Sequence, residues 1–353
     1  MAAQEAGIEL MSNGSRRHLP FRNFVHLNQT EAHELMCSML SGEMTTEGIA
    51  EVLTFLRRKG ETVSELVGFA TAIRDMNHPL ALDQSTEPLL DTCGTGGDGT
   101  NTFNVSTATA FVVAGAGQRV AKHGNRRISS QCGSADVLEA LGISVSLSAA
   151  EVIRCIEEVG IGFFYAPLLY PAVKHAQEAR LQLKGRTVFN LLGPLTNPVG
   201  ARLQLMGAFS VRAAEMLAQA AARIGIQRAF VVHGSDGLDE ITTTGVTTVF
   251  QVEDGSVQKG RWSPADFGLE PGRIEDLQGG DPETNAAIIR TVLAGEPTPC
   301  RDIVIANAAA ALLLARRAPD LRSAVETAQE SIDSGAALGK LEQLSSLAVT
   351  QTE

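Results

Sequence analysis

Three stretches near the start of the chain, residues 30–40, 46–59 and 64–76, carry apolar side chains at three- and four-residue intervals with polar ones between. That period predicts three amphipathic helices. Thr30 stands as the first N-cap, Gly42 and Gly60 end the first two, and the third stops before Pro79. No strand pattern interrupts them, so they predict a small helical domain whose apolar faces pack on each other, on the next domain or on a second copy of the chain. After the linker from Pro79 to Pro88 the pattern changes. Apolar runs of strand length at 89–92, 119–122 and 229–233 alternate with helical patterns at 135–141, 149–159 and 213–224. Alternation of this kind predicts a largely parallel sheet covered by helices. Residues 247–252 read as an added antiparallel strand, and 285–293, 302–316 and 322–334 as further helices, with Gly335 as a stop.

A length of 353 residues favours two cooperating domains over one core. The fold class expected is α/β, with a helical domain over 28–85 and a larger domain over 86–353 whose mostly parallel sheet is flanked by helices. Residues 1–27 read as a poorly ordered extension. A net charge of −11 argues against a general nucleic-acid binder, which needs a broad basic surface. The five cysteines show no CxxC spacing, which points to reduced thiols rather than disulfides or zinc. No apolar run reaches the roughly 20 residues of a membrane span and the start lacks a signal-peptide core, so the expected setting is the cytoplasm.

The candidate chemistry begins where the first strand empties into Gly94-Thr-Gly-Gly-Asp-Gly99 and then Asn104-Val-Ser-Thr107 at the start of a helix. Glycines let backbone approach a ligand closely, and free N–H groups at a helix start attract an anion. The same letters spell the G-x-G-x-x-G of dinucleotide folds, which also requires an acid roughly 20 residues on. From Thr100 to Ala135 there is neither Asp nor Glu, so that reading is weak. Cys93 beside the loop reads as small packing.

Three further clusters belong to polar loops that should converge at the carboxyl ends of the strands. Lys122, His123, Asn125, Arg126 and Arg127, followed by Ser129 and Ser130, concentrate donors in an otherwise acidic chain. They suit a sugar diphosphate, or form a solvated basic turn. Adjacent Asp239 and Glu240 follow an apolar strand and offer the hard oxygens that Mg²⁺ prefers, although adjacent acids are often only surface. Arg180 lies ten residues after Tyr170, near three helical turns, so the two can share a face. Its guanidinium suits a substrate carboxylate or, about as readily, a neighbouring helix. Gly193-Pro194 reads as a rigid apolar turn.

Taken in order, residues 91–99, 104–107, 122–126, 133–136, 186–198 and 233–240 closely resemble the anthranilate phosphoribosyltransferase family, and the likeness runs from about Asn28 to the C-terminus. The resemblance implies a nucleoside phosphorylase/phosphoribosyltransferase-like fold whose helical domain is joined by helices from about 160–185. It implies transfer of the 5-phosphoribosyl group from phosphoribosyl pyrophosphate to anthranilate, in tryptophan biosynthesis, by a homodimer joined through the helical domain. By motif, Gly94, Thr95, Gly97, Asp98, Asn104, Ser106, Thr107 and Lys122 would bind phosphoribosyl pyrophosphate. Ser106, Asp239 and Glu240 would serve two Mg²⁺ ions, with Lys122, Asp239 and Glu240 as the catalytic set. Gly94, His123, Asn125, Tyr170, Arg180, Gly193 and Pro194 would line the anthranilate site, and no general base is assigned.

Two positions depart from the family pattern. Tyr170-Pro-Ala stands where His-Pro-Ala is expected, which supplies a hydroxyl in place of a switchable charge. In Leu183-Lys-Gly-Arg186 the glycine falls one residue late. Both bear on the acceptor half. The alternatives are another aromatic amine as acceptor, a pyrimidine nucleoside phosphorylase, or a non-catalytic paralogue that binds nucleic acid.

Overall fold

The computed structural model describes residues 26–77, 80, 82–85, 87–126 and 131–348, and the backbone of 9–12 and 15–18. Arg127, Ser129 and Ser130 of the basic run lie outside the described residues. Within the stretch expected to be poorly ordered, β1 (Glu9–Ser12) and β2 (Ser15–His18) pair as an antiparallel hairpin.

The helical domain is built on α1 (Gln29–Leu40), α2 (Thr46–Lys59) and α3 (Val63–Asn77). The first begins one residue earlier than its period suggested, because Asn28 rather than Thr30 is the cap: its Oδ1 accepts from Glu31 N at 3.0 Å while Glu31 reaches back to Asn28 N at 2.8 Å. Where α1 crosses α3, a Cβ on Gly68 would stand 2.3 Å from the Gln29 carbonyl, so only glycine permits the approach. Glu65 is fully buried and accepts both Lys59 Nζ at 2.7 Å and the amides of Leu27 and Thr62. That ion pair fastens the chain's entry to the bundle.

The second domain starts with β3 (Leu90–Gly94), α4 (Val105–Gly115), β4 (Val120–Gly124), α5 (Ser134–Ala140), α6 (Ala149–Glu158) and β5 (Ile161–Tyr165). The chain then returns to the bundle through α7 (Ala166–Leu169), α8 (Lys174–Leu183) and α9 (Val188–Leu192). Helix α8 packs on α2 and α1. The expectation of helices over 160–185 is thus corrected at its start, where Ile161–Tyr165 is an edge strand of the sheet. The domain finishes with β6 (Leu203–Gly207), α10 (Val211–Arg223), β7 (Arg228–Gly234), β8 (Thr247–Glu253), β9 (Ser256–Trp262), α11 (Pro282–Leu293), α12 (Pro299–Leu314), α13 (Leu321–Asp333) and α14 (Ala336–Leu347).

Seven strands lie in the order β5-β4-β3-β6-β7-β8-β9. The first five are parallel and the last two antiparallel. One face is covered by α4 and α11 to α14, where α12, buried on nearly every side, forms the centre. The other packs on α10 and the helical bundle. Strands β3, β4, β6 and β7 all end in glycine, at Gly94, Gly124, Gly207 and Gly234. Four loops therefore leave one edge of the sheet with no Cβ at their roots.

Candidate active site

The loop after β3 takes the shape its glycines allow. Gly96, Gly97 and Gly99 have φ of +61°, +72° and +81°, the left-handed region that side chains resist. A second segment clamps the loop from outside: Phe103 N donates to Leu277 O at 3.1 Å and Gly279 N to Asn101 O at 2.9 Å. Asn104 occupies the N-cap of α4 but does not cap it. Its side chain instead accepts from Asn285 at 2.9 Å and donates to Cys132 O at 3.3 Å. At the helix start Val105 N donates to Phe103 O at 2.8 Å and Thr107 N to Asn104 O at 3.1 Å, while the Ser106 amide faces the Glu240 carboxylate.

Asp239 reaches the same place from the loop after β7. Its Oδ2 accepts from Gly96 N at 2.8 Å. A Cβ on Gly94 would come within 2.6 Å of that oxygen, and one on Gly207 within 1.5 Å of the Asp239 carbonyl. Both strand-end glycines are required by the acid that packs over them. Asp236 braces this loop by accepting the Thr242 and Thr244 hydroxyls, and Asn307 of α12 holds its exit through Ile241 N at 3.0 Å and Ile241 O at 2.9 Å.

Burial, then the charge of Asp98, pushes the Asp239 carboxyl up to about 7. Burial and Asp239 hold Glu240 well above the usual carboxylate range. Both residues keep an edge open to solvent. Acids gathered with so little compensating charge, beside the Ser106 hydroxyl, form a hard-oxygen donor set that fits Mg²⁺.

Lys122 is the cation of the site. It is buried on β4, with Nζ donating to Thr92 O at 2.5 Å and to Ser106 Oγ at 3.2 Å. Burial draws its pKa down, while Asp91, Cys93 and Glu240 oppose that fall. No salt bridge ties it among the described residues. One residue on from Ser106, the Thr107 hydroxyl is buried with no hydrogen-bond partner. Burial holds the Cys93 thiol well above its ordinary range, which fits packing and not nucleophilic chemistry.

On the acceptor side both His123 nitrogens are engaged, Nδ1 with Asp91 at 2.5 Å and Nε2 with Gly193 O at 2.8 Å. Burial presses the imidazole down, but Asp91 and that carbonyl outweigh it and raise its pKa. Asp91 also accepts from Asn197 at 2.8 Å, so this buried Asp91, Cys93 and His123 group is a closed hydrogen-bond network and not an open metal set. Tyr170 is buried, its hydroxyl donating to Thr196 O. The chain breaks helix at Tyr170 before α8 begins, so Tyr170 and Arg180 do not share a helix face. Arg180 is half-buried with its guanidinium 5.0 Å over the Phe189 ring and no carboxylate partner among the described residues. Asn125 is half-buried at the end of β4, its Oδ1 accepting from Arg126 N at 2.8 Å. Arg126 does not join the substrate donors: Glu139 at 2.5 Å and Asp136 at 3.2 Å hold its guanidinium.

The connection between α8 and α9 touches the glycine loop once and α9 touches it once more. Arg186 Nη1 donates to Gly97 O at 2.7 Å, and Asn190 to Thr95 O at 3.1 Å. Asp91, Asn197, Asn285 and Asn307, which hold the loops in place, receive no role from the sequence, although Asp91 and Asn197 fall within the motifs at 91–99 and 186–198. The one signal for them is that polar residues stand in otherwise apolar runs.

Comparison with known proteins agrees in both domains. Residues 86–338 match the glycosyl transferase family a/b domain and residues 21–76 its helical bundle domain. An anthranilate phosphoribosyltransferase of Solibacter usitatus is 53% identical over 92% of this chain and 96% of its own. The crystal structure of the Thermus thermophilus anthranilate phosphoribosyltransferase superposes with a TM-score of 0.86 at 40% identity, over 92% of this chain and 97% of that one. The Saccharomyces cerevisiae anthranilate phosphoribosyltransferase, in complex with PRPP and Mg, gives 0.83 at 29% identity over 91% and 93%. The yeast protein has also been crystallised with 4-fluoroanthranilate.

Proposed function

We infer the reaction from membership and geometry together: the chain belongs to the anthranilate phosphoribosyltransferase family, and it transfers the 5-phosphoribosyl group of phosphoribosyl pyrophosphate to the amine of anthranilate, in tryptophan biosynthesis. The observation that carries this is the meeting of the glycine loop, the buried Lys122 and the Asp98, Asp239 and Glu240 acids at one edge of the sheet. It supports a pyrophosphate ester with its metal.

In the transfer the bond from the anomeric carbon to pyrophosphate breaks, the bond to the amine nitrogen forms, and the nitrogen sheds a proton. The glycine loop, open above its left-handed Gly96, Gly97 and Gly99, cradles the diphosphate, and Lys122 takes up negative charge as pyrophosphate leaves. Asp98, Asp239, Glu240 and Ser106 would hold two Mg²⁺ ions, which supply further charge neutralisation when bound. The amine keeps its lone pair at neutral pH, so positioning replaces a strong base. Arg180, the half-buried guanidinium without a carboxylate, takes the anthranilate carboxylate, with Gly94, Asn125 and the Gly193-Pro194 turn as walls. His123 and Tyr170 shape that wall from behind. We place the subunit contact on the helical domain, where Leu168 and Leu181 are 52% and 60% exposed, and sedimentation as a dimer of the full chain checks it.

Loss of anthranilate fluorescence on adding phosphoribosyl pyrophosphate and Mg²⁺ tests the reaction. Phosphorolysis of thymidine or uridine without that loss would replace it with nucleoside phosphorylase chemistry.

A further inference from the structure

The turn that follows α9 is held in an unusual way. The Gly193 carbonyl accepts from His123 of β4 at 2.8 Å, the Leu195 carbonyl from Arg74 Nε of α3 at 2.9 Å, and the Thr196 carbonyl from the Tyr170 hydroxyl. The next side chain, Asn197, is itself bound to Asp91. Donors from three separate stretches therefore set where this turn lies, and two of them, Arg74 and Tyr170, come from the bundle side.

Arg74 has a second bond, Nη1 to Ile224 O at 3.1 Å, at the close of α10. Among the described residues no carboxylate pairs with it, and burial lowers its pKa. A half-buried guanidinium without a counter-charge costs stability that a neutral donor would not. What the guanidinium adds is a rigid fork whose Nε and Nη1 each reach a carbonyl on a different element. The fork joins the last helix of the bundle, the acceptor-side turn and the end of α10 into one unit.

We propose that Arg74 is a positioning residue for the acceptor: it touches no substrate, and it sets the depth of the Gly193-Pro194 wall by holding Leu195 in place. The proposal rests on the reaction given above and on that turn lining the anthranilate site. It assigns a role in acceptor recognition to a residue of the helical domain, more than a hundred positions before the wall it sets.

The test compares Arg74→Met and Arg74→Lys with the parent, each as the full chain. In Arg74→Met the KM for anthranilate is expected to rise about tenfold, the effect of losing one hydrogen bond from a charged donor. Arg74→Lys keeps the charge and one bond, and the rise is expected to be smaller. The KM for phosphoribosyl pyrophosphate should stay within about twofold in both. Amide hydrogen exchange should quicken in residues 188–199 and stay at the parent rate in residues 94–105. Unchanged exchange in 188–199 overturns the proposal, as does a parallel rise of both KM values. If the parent chain fails to convert anthranilate at all, the reaction above falls, and the exchange comparison still decides whether Arg74 holds the turn.

Discussion

Asp239 keeps a proton until about pH 7 because burial and then the charge of Asp98 outweigh the backbone amides, Gly96 among them, that it accepts from. A carboxyl whose folded pKa is raised binds its proton more tightly folded than unfolded. Its contribution to stability is whole below the ordinary value of 3.8 and is lost as pH rises to about 7. The Tm of the ligand-free protein should therefore fall as pH rises from about 4 to about 7, and the gain in Tm on adding Mg²⁺ should grow over the same range, since metal competes with the proton. A flat response would show that the acids already carry another partner. Asp239→Asn removes one hard oxygen and should raise the Mg²⁺ concentration for half-maximal rate by about 10- to 100-fold while lowering kcat. Normal turnover at the parent Mg²⁺ level would remove this carboxylate from the site.

At the scale of elements, the acid loop sits where it does because β6 ends without a side chain. Gly207→Ala places a methyl on the Asp239 carbonyl, and the shift should cost about 1–3 kcal/mol in a denaturant melt and most of the activity. Asn307→Leu strips Ile241 of both side-chain bonds, with a similar cost of about 1–3 kcal/mol and a higher Mg²⁺ requirement. The three bundle helices and the strands flanking the glycine loop were legible in the sequence, since their periods are long or their turns carry glycine. Ile161–Tyr165 and Leu203–Gly207 were not. Each is five residues long and buried almost throughout, so neither shows the alternation by which a strand is read. The site divides the same way. Residue types revealed the phosphate cradle, the lysine and the acids, whereas the fate of each side chain depended on partners distant in the chain. Arg126 is drawn off by Glu139, Asn104 by Asn285, and His123 by Asp91 and Gly193.

For the molecule as a whole, the connection from α8 to α9 is the channel between the halves. It passes through Lys184 and Gly185 at φ of +41° and +151° and then fastens to the glycine loop through Arg186, with Asn190 of α9 adding a second bond. Arg186→Ala should raise the KM for phosphoribosyl pyrophosphate by about 3- to 10-fold, the worth of one bond from a charged donor. Steady-state titration against that substrate checks it, and an unchanged value would make the contact incidental. The return of the chain to the bundle has a different consequence, for biosynthesis. Helices α1 and α2 find their partner α8 only after residue 183 has been made. Helices α1 to α3 therefore leave the ribosome with an apolar face uncovered and must wait through β3, α4, β4, α5, α6 and β5 of the other domain before it closes. Folding in synthesis should proceed from the middle of the chain outward, and a nascent chain halted before Lys174 should be the species that chaperones hold.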